Sequence, residues 1–430
     1  MIEAQLIIIG GGAAGLFAAA VAAESGLSVA LFEKNARCGR KIALTGKGRC
    51  NLTNTKPWEE FAHHIHPKNI FLKNAFYAMS NIKVMEFFER IGLPLVEERG
   101  DRVFPASMRA QDVTDTLVAY LKSLGVKIFN CAEVESVKSI GSESAADQIN
   151  TNSPFRFSIK LTDGKMARSS SLLIATGGLS YPVTGSTGDG YEFAKELGHS
   201  VTPCFPSLTA LTPTGYSDQL QGVSLKNVEL TLIINNQDVV TEFGDMDFTN
   251  GGIEGPIGFK LSRKGVYNLI NGQKVSVRLD LKPAVTAAQV KERIAREINA
   301  LKPQEKSRLE KGGADAISRI LLPKLLPKQL IAPFVAANTG MSVSNLPQLL
   351  KGWNFKISSF VGYERCVITA GGISLSEISQ KSMESKLVKG LYFAGEVIDL
   401  DGDTGGYNLQ IAFSTAALAA QSISKSLLKE

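Results

Sequence analysis

The residues able to do chemistry come early in the chain. Gly10, Gly12 and Gly15 form a G-x-G-x-x-G turn, a pattern that suits a pyrophosphate. The first glycine makes the tight bend, the second lets the backbone approach the ligand, and the third lets the next helix pack closely. Ala13 and Ala14 open that helix, whose free N–H groups and dipole favour an anion. Glu33 stands 21 positions after Gly12, where a carboxylate can accept the hydroxyls of an adenosine ribose. Lys34 follows it, and Arg40 and Lys41 offer a fork and a point charge to phosphate. Thr45-Gly46-Lys47-Gly48-Arg49-Cys50-Asn51 is a denser piece. Its glycines permit close approach to a flat ligand, and Arg49 and Asn51 carry donors for the carbonyl oxygens of a ring. Cys50, between them, is a candidate proton donor whose thiol an adjoining cation would acidify.

The elements that must position these groups surround them. The unbroken apolar run 6–9 fits a parallel strand covered on both faces, and the Ala-rich stretch predicts a helix over 13–25, stopped by Gly26, before a strand over 28–32. Residues 55–123 read as inserted helices and loops, with core stripes at Phe71, Ala75, Phe76 and Met79 and at Val84, Phe87, Phe88 and Ile91. A polar loop is expected over 101–105 and a helix over 112–123. Strand patterns return over 126–137, 155–161 and 169–174, with a polar hairpin loop over 141–153. The last strand runs into Ala175-Thr176-Gly177-Gly178, where small residues let the backbone pass near a ligand. Short β patterns over 207–212, 228–234, 238–243 and 274–281 predict a small antiparallel sheet or barrel. Residues 284–352 turn helical with proline punctuation. A buried strand over 390–394 leads to Gly395 and Glu396 at the carboxyl edge of the sheet, and a helix is expected over 411–428.

Composition narrows the class. At 430 residues and 44% hydrophobic content the chain predicts two or three domains with sizeable cores. No window approaches the ~18 apolar residues of a membrane span, and the first strand begins too near Met1 for a secretion signal, so a cytoplasmic protein is expected. The five cysteines are scattered without C-x-x-C spacing, which indicates neither a disulfide framework nor a zinc site. His63, His64 and His66 read as a solvated loop, so no metal is expected. Between 282 and 328 there are 11 Lys or Arg and 5 Asp or Glu, a net of 11 − 5 = +6, equal to the formal charge of the whole chain. Such a run is a solvated face or a landing surface for a phosphate-rich substrate.

Residues 10–15, Gly39-Arg40-Lys41, Gly48-Arg49-Cys50-Asn51, Gly395-Glu396-Val397-Ile398-Asp399 and Gly405-Gly406-Tyr407-Asn408 together resemble the BaiN/YhiN-like FAD-dependent oxidoreductases, also labelled aminoacetone-oxidase-type flavoproteins. The resemblance spans nearly the whole chain. A more distant one, to the fumarate-reductase flavoprotein group, runs through residues 175–178 and Thr187-Gly188-Asp189-Gly190. Two positions depart from the family pattern: Asn250 stands where the loop Phe248 to Pro256 usually has His, and Lys47 where many members have Gly.

The resemblance implies an α/β fold: a Rossmann-like FAD-binding domain of the GR2/fumarate-reductase type with inserted β-barrel-like and helical domains. The implied divisions are 1–200 (FAD-binding, first part), 201–282 (β-rich), 283–352 (helical) and 353–430 (return through the insertion to the FAD-binding domain). FAD would be held by Gly10, Gly12, Ala13, Ala14, Gly15, Glu33, Lys34, Arg40, Lys41, Gly48, Arg49, Cys50, Asn51, Thr176 and Gly177. Val134 would lie beside adenine, Gly395 and Glu396 along the ribityl chain, and Asp399, Gly406, Tyr407, Asn408 and Leu409 toward the flavin pyrimidine edge. A positive helix end there would stabilise the negative charge of a reduced flavin. The activity implied is hydride transfer from NAD(P)H through FAD to an activated C=C or C=O of an acceptor. No second G-x-G-x-x-G follows a strand, so the donor would bind transiently. Small enones or ketones and the uridines of ribosomal RNA are the alternative acceptors in this family, and a non-catalytic FAD-binding protein is a third reading.

Overall fold

Residues 1–140 and 154–428 are described by a computed structural model; the hairpin loop expected over 141–153 falls outside them. Ile2–Ile9 lies at the centre of the main sheet, with Leu6, Ile7 and Ile8 completely buried. Its parallel neighbours are Val29–Phe32 on one side and Met166–Ile174 on the other. Lys127–Phe129 extends the sheet beyond Val29–Phe32, and Leu391–Phe393 adds a parallel strand beside the end of Met166–Ile174. The antiparallel strands Phe157–Leu161 and Val134–Ser139 complete it. Ile9 sits opposite both Phe32 and Ile174, and Ile174 opposite Phe393. These strands therefore end in register, and the Gly10 turn, Glu33, Ala175 and Ala394 all leave from one carboxyl edge, where open α/β sheets bind ligands.

The helix Ala13–Glu24 is apolar on all sides and packs between sheet and the C-terminal helix Tyr407–Leu427. Phe17 lies 4.5 Å from Phe87 and 4.9 Å from Phe413, ring centre to centre. The stripes read from the sequence are core: Phe71, Ala75, Phe76, Val84, Phe87 and Phe88 are buried on the helices Asn69–Ala78 and Asn81–Arg90. This unit comprises Met1–Phe205 and Val367–Glu430.

Three local expectations change. The polar loop at 101–105 contains the strand Arg102–Pro105, paired with Leu95–Glu98 and Thr53–Asn54, because its Val103 and Phe104 are buried. The following helix is Ala110–Ser123, two residues longer at its start. The C-terminal helix begins at Tyr407 rather than 411, since Gly406 adopts a left-handed conformation, φ 93°, and turns the chain directly into it.

The second unit, Pro206–Cys366, contains a closed barrel of Leu211–Pro213, Gly252–Glu254, Gln237–Thr249, Ser224–Ile234, Val275–Asp280 and Trp353–Phe360, in that order around the wall. Phe248, Trp353 and Phe355 fill its interior, the last two 4.7 Å apart. Helices from Ala287–Asn299 to Leu346–Lys351 occupy the connection before the last strand. Among the described residues no helix is long and apolar enough to cross a membrane.

Candidate functional site

The Gly10 turn is built for a ligand on one side and for packing on the other. A Cβ at Gly10 would meet the Ala175 carbonyl oxygen at 2.5 Å, and one at Gly15 would drive into the Gly10 carbonyl oxygen. Gly12 differs: a Cβ there meets nothing within 4 Å. The space before the first N–H groups of Ala13–Glu24 is therefore open, as a pyrophosphate requires. Ala14 is buried on the next turn, against Gly395 of the C-terminal segment.

Glu33 closes this end of the site. Its Oε2 accepts from Gly11 N at 2.9 Å, and its Oε1 from Asn35 N at 2.8 Å and Asn35 Nδ2 at 2.7 Å. Three donors fix the buried carboxylate without exhausting its lone pairs, which leaves room for a ribose hydroxyl. Arg40 donates to Asn35 Oδ1 at 2.7 Å, so its guanidinium is the outer end of a chain leading to Glu33. Lys34 pairs with Asp189 at 2.6 Å. Ala132 N donates to the Glu33 carbonyl at 2.9 Å, which ties the approach to Val134 to the same edge.

Lys41 reaches across the fold. Its ammonium pairs with Glu396 Oε2 at 2.6 Å and donates to Ser180 Oγ, while Glu396 Oε1 accepts from Ser180 Oγ at 2.6 Å and Thr369 N at 2.9 Å. Burial works to raise the Glu396 carboxyl, but the Lys41 charge and these hydrogen bonds outweigh it and hold the group below the usual carboxylate range. Gly177, at φ 76°, lies beside it, and Thr176 precedes it in the chain. Gly395 N donates to Thr415 Oγ1 at 3.0 Å, and Asp399 N to the Ile373 carbonyl at 3.0 Å.

The segment Ile42–Gly48 is 3-10 helical with a break at Thr45, Gly46 and Lys47. Gly48 is left-handed at φ 84° with open space around it. Arg49 turns to Glu98 at 3.0 Å and lies over the Phe104 ring at 4.5 Å. Asn51, its amide oriented so that both ends are satisfied, donates to the Thr53 carbonyl at 2.9 Å and accepts from Gly406 N at 3.1 Å. Asn51 thus clasps this loop to the start of the C-terminal helix instead of offering free donors to a ring. The expectation of an acidified Cys50 is overturned. The thiol is fully buried, the Arg49 cation is engaged elsewhere, and burial pushes the thiol up to about 12, with a Thr45 hydrogen bond opposing only weakly.

At the start of the C-terminal helix, Tyr407 is buried, Leu409 packs partly against the core, and Asn408 exchanges hydrogen bonds with Gly402, accepting at 2.8 Å and donating at 2.7 Å. Sequence reasoning missed the group beside it. His64 Nδ1 lies 2.8 Å from Asp403 Oδ2, and His66 Nε2 3.3 Å from Asp403 Oδ1. His64 also stacks on Tyr407, 4.4 Å between ring centres. These histidines are half-buried on an acid 339 and 337 residues away, not in a solvated loop. The pairing of Ile65–His66 with Asp401–Gly402 brings them together. All five cysteines are free.

The residues present fit FAD: open space at Gly12 before a helix N-terminus, a buried carboxylate at Glu33 with lone pairs to spare, and a glycine-bearing loop joined to the N-terminus of the C-terminal helix. The profile of the HI0933-like protein Rossmann domain matches residues 4–422. The ribosomal RNA dihydrouridine synthase of Haemophilus influenzae is 31% identical over 435 residues, covering 97% of this chain and 98% of that one. The 3-dehydro-bile acid delta(4,6)-reductase of Clostridium scindens is 29% identical over 422 residues, covering 96% and 97%. Among solved structures, a 3-ketosteroid-delta4-(5alpha)-dehydrogenase from Rhodococcus jostii aligns over 98% of this chain and 97% of its own at TM-score 0.53 and 15% identity, a likeness of fold.

Proposed function

Because the chain belongs to the HI0933-like family of FAD-binding Rossmann flavoproteins, we propose that it is a reductase that takes a hydride from NAD(P)H and delivers it to a C=C bond conjugated to a carbonyl. The observation that carries this reading is the clasp between Asn51 and Gly406, which joins the loop expected beside the ring to a helix N-terminus. A protein that used FAD only as a structural part would need the ADP end alone. One relative is named a 3-dehydro-bile acid delta(4,6)-reductase and another a ribosomal RNA dihydrouridine synthase, names that fit such a reaction. Bound FAD would supply the two-electron hydride chemistry. Gly12 and the first turn of Ala13–Glu24 would seat the pyrophosphate, Glu33 would orient the ribose, and Glu396, fixed by Lys41, would face the ribityl side. The N-terminus of Tyr407–Leu427 would favour negative charge on the ring. The free cysteines suit a reducing cytoplasm.

Stopped-flow mixing tests this. NADPH or NADH should reduce the bound flavin and an enone should reoxidise it; a flavin that no nicotinamide reduces would overturn the reading.

A second reading, in which the double bond belongs to uridine in ribosomal RNA, is favoured by the helical part of the second unit. Lys302, Arg308, Lys311, Lys324 and Lys328 are exposed there and Lys306 half-buried. Phosphate contacts at such groups make affinity fall steeply with salt. Reversing several of these charges should weaken binding to ribosomal RNA fragments and leave flavin reduction unchanged. Equal dihydrouridine in ribosomal RNA from cells with and without the gene, measured by mass spectrometry, would exclude it.

A further inference from the structure

Reduction of a conjugated C=C bond needs a proton as well as a hydride, and the ring-side loops offer few groups to give one. Cys50 is sealed from solvent. Arg49 is paired with Glu98. Lys41 and Glu396 neutralise one another. Tyr407 is buried with its hydroxyl pushed up, by burial first and then by Asp403, Asp101 and Glu60. What remains is the histidine pair on Asp403, three residues before Gly406, on the loop that leads into the helix N-terminus.

Asp403 accepts from both rings, one on each carboxylate oxygen, so both imidazoles are aimed and neither can rotate without losing a charge-assisted bond. His64 is pinned further by its stack on Tyr407. His66 is the more open ring, 31% exposed, with Asp403 on Nε2 and, among the described residues, no hydrogen bond on its Nδ1 face. Other charges near the cluster include Asp401, opposite His66 in the strand pairing, and Asp101 and Glu60, which act on the adjoining Tyr407 and are bridged by Lys56 at 3.2 and 2.9 Å.

Resting on the reductase reading above, we propose that His66, held by Asp403 and flanked by His64, is the proton donor for the acceptor. Bound FAD would supply the hydride for the C–H bond at the carbon β to the carbonyl. The π pair of the double bond forms the second C–H bond at the α carbon with the proton of the His66 imidazolium. His66 is left neutral, to be reprotonated by water at its open edge. Histidine suits the step because its charge changes near neutral pH.

The test uses the FAD-loaded protein, reduced anaerobically by NADPH and mixed with 2-cyclohexen-1-one across pH 5 to 9. Wild-type reoxidation should slow along a single limb as pH rises. His66→Gln should slow it at least ~100-fold and abolish the limb, while His63→Gln, an exposed neighbour, should change neither. Independently of turnover, 2-cyclohexen-1-one added to the oxidised FAD-loaded protein should perturb the His66 imidazole resonances by NMR and leave those of His63 in place. A His66 whose resonances the enone leaves unmoved, or a folded H66Q with wild-type rate and limb, overturns the proposal. A wild-type flavin that NADPH reduces but the enone leaves reduced, with the His66 resonances perturbed, counts against the acceptor reading instead.

Discussion

Replacing Gly12 by valine should separate ligand binding from folding. The backbone at Gly12 has φ −83° and ψ −166°, extended values open to any residue, and a Cβ there meets nothing within 4 Å. The cost to the fold is that of a poorer helix N-cap, at most about 1 kcal/mol, which shifts a Tm by a few degrees. The cost to the ligand is far larger. The isopropyl group fills the space before the helix N-terminus, and loss of two hydrogen bonds to a charged phosphate, about 1.5–3 kcal/mol each, weakens binding by roughly 100-fold or more. Gly15→Ala is the counterpart: its methyl drives into the Gly10 carbonyl oxygen, so that variant should lose the turn itself. The assay is flavin absorbance per mole of protein after gel filtration, with thermal unfolding of both apoproteins alongside. A G12V protein that keeps stoichiometric FAD refutes the pyrophosphate assignment; one that unfolds as readily as G15A refutes the claim that the space is empty in the fold.

Other outcomes follow from the buried groups. Lys41→Met leaves the Glu396 charge without its cation and should cost about 3 kcal/mol at pH 7 in urea unfolding. Glu396 is held below its ordinary value, so its pairing stabilises the fold above about pH 4.5 and fades below; the gap between K41M and wild type should narrow toward pH 4. Burial works against the Asp403 anion, but His64 and His66 bring the carboxyl down from 3.8 to about 2. That shift contributes about 2 kcal/mol at neutral pH, lost as pH falls from about 4 to 2, and D403N should flatten the acid limb of a circular-dichroism titration. Cys50→Ala should leave flavin reoxidation by an enone at the wild-type rate, and the native thiol should resist iodoacetamide at pH 8; rapid labelling would show that Cys50 is not sealed.

What the sequence disclosed was what a local pattern can carry. The turn at Gly10, Gly12 and Gly15, the apolar run before it and the acid 21 positions after Gly12 lie within one βαβ unit, where spacing and periodicity are sufficient. The apolar stripes at Phe71 to Phe76 and Val84 to Phe88 were legible for the same reason. The contacts that finish the site were not. Lys41 meets Glu396 across 355 residues and His64 meets Asp403 across 339, separations at which no spacing rule operates. Cys50 shows the opposite failure: adjacency to Arg49 suggested an acidic thiol, but consecutive residues need not face one another, and here the guanidinium went to Glu98 while the sulfur went inward. The start of the C-terminal helix was misjudged because Gly405 and Gly406 look like loop, whereas a left-handed Gly406 is the hinge from which the helix departs.

The pairing of Lys41 with Glu396 also sets a timetable for biosynthesis. At about 5–20 residues per second of translation, Glu396 emerges roughly 20–70 s after Lys41, and the strand Leu391–Phe393 that joins the sheet beside Ile174 arrives with it. Until then the nascent chain carries the Gly10 turn and Glu33 but an unfinished carboxyl edge, with the surface of Ala13–Glu24 that Tyr407–Leu427 will cover still bare. A ligand that needs only the first βαβ unit would find it early on a ribosome-bound chain; one that also needs Glu396 must wait until the C-terminal helix has emerged.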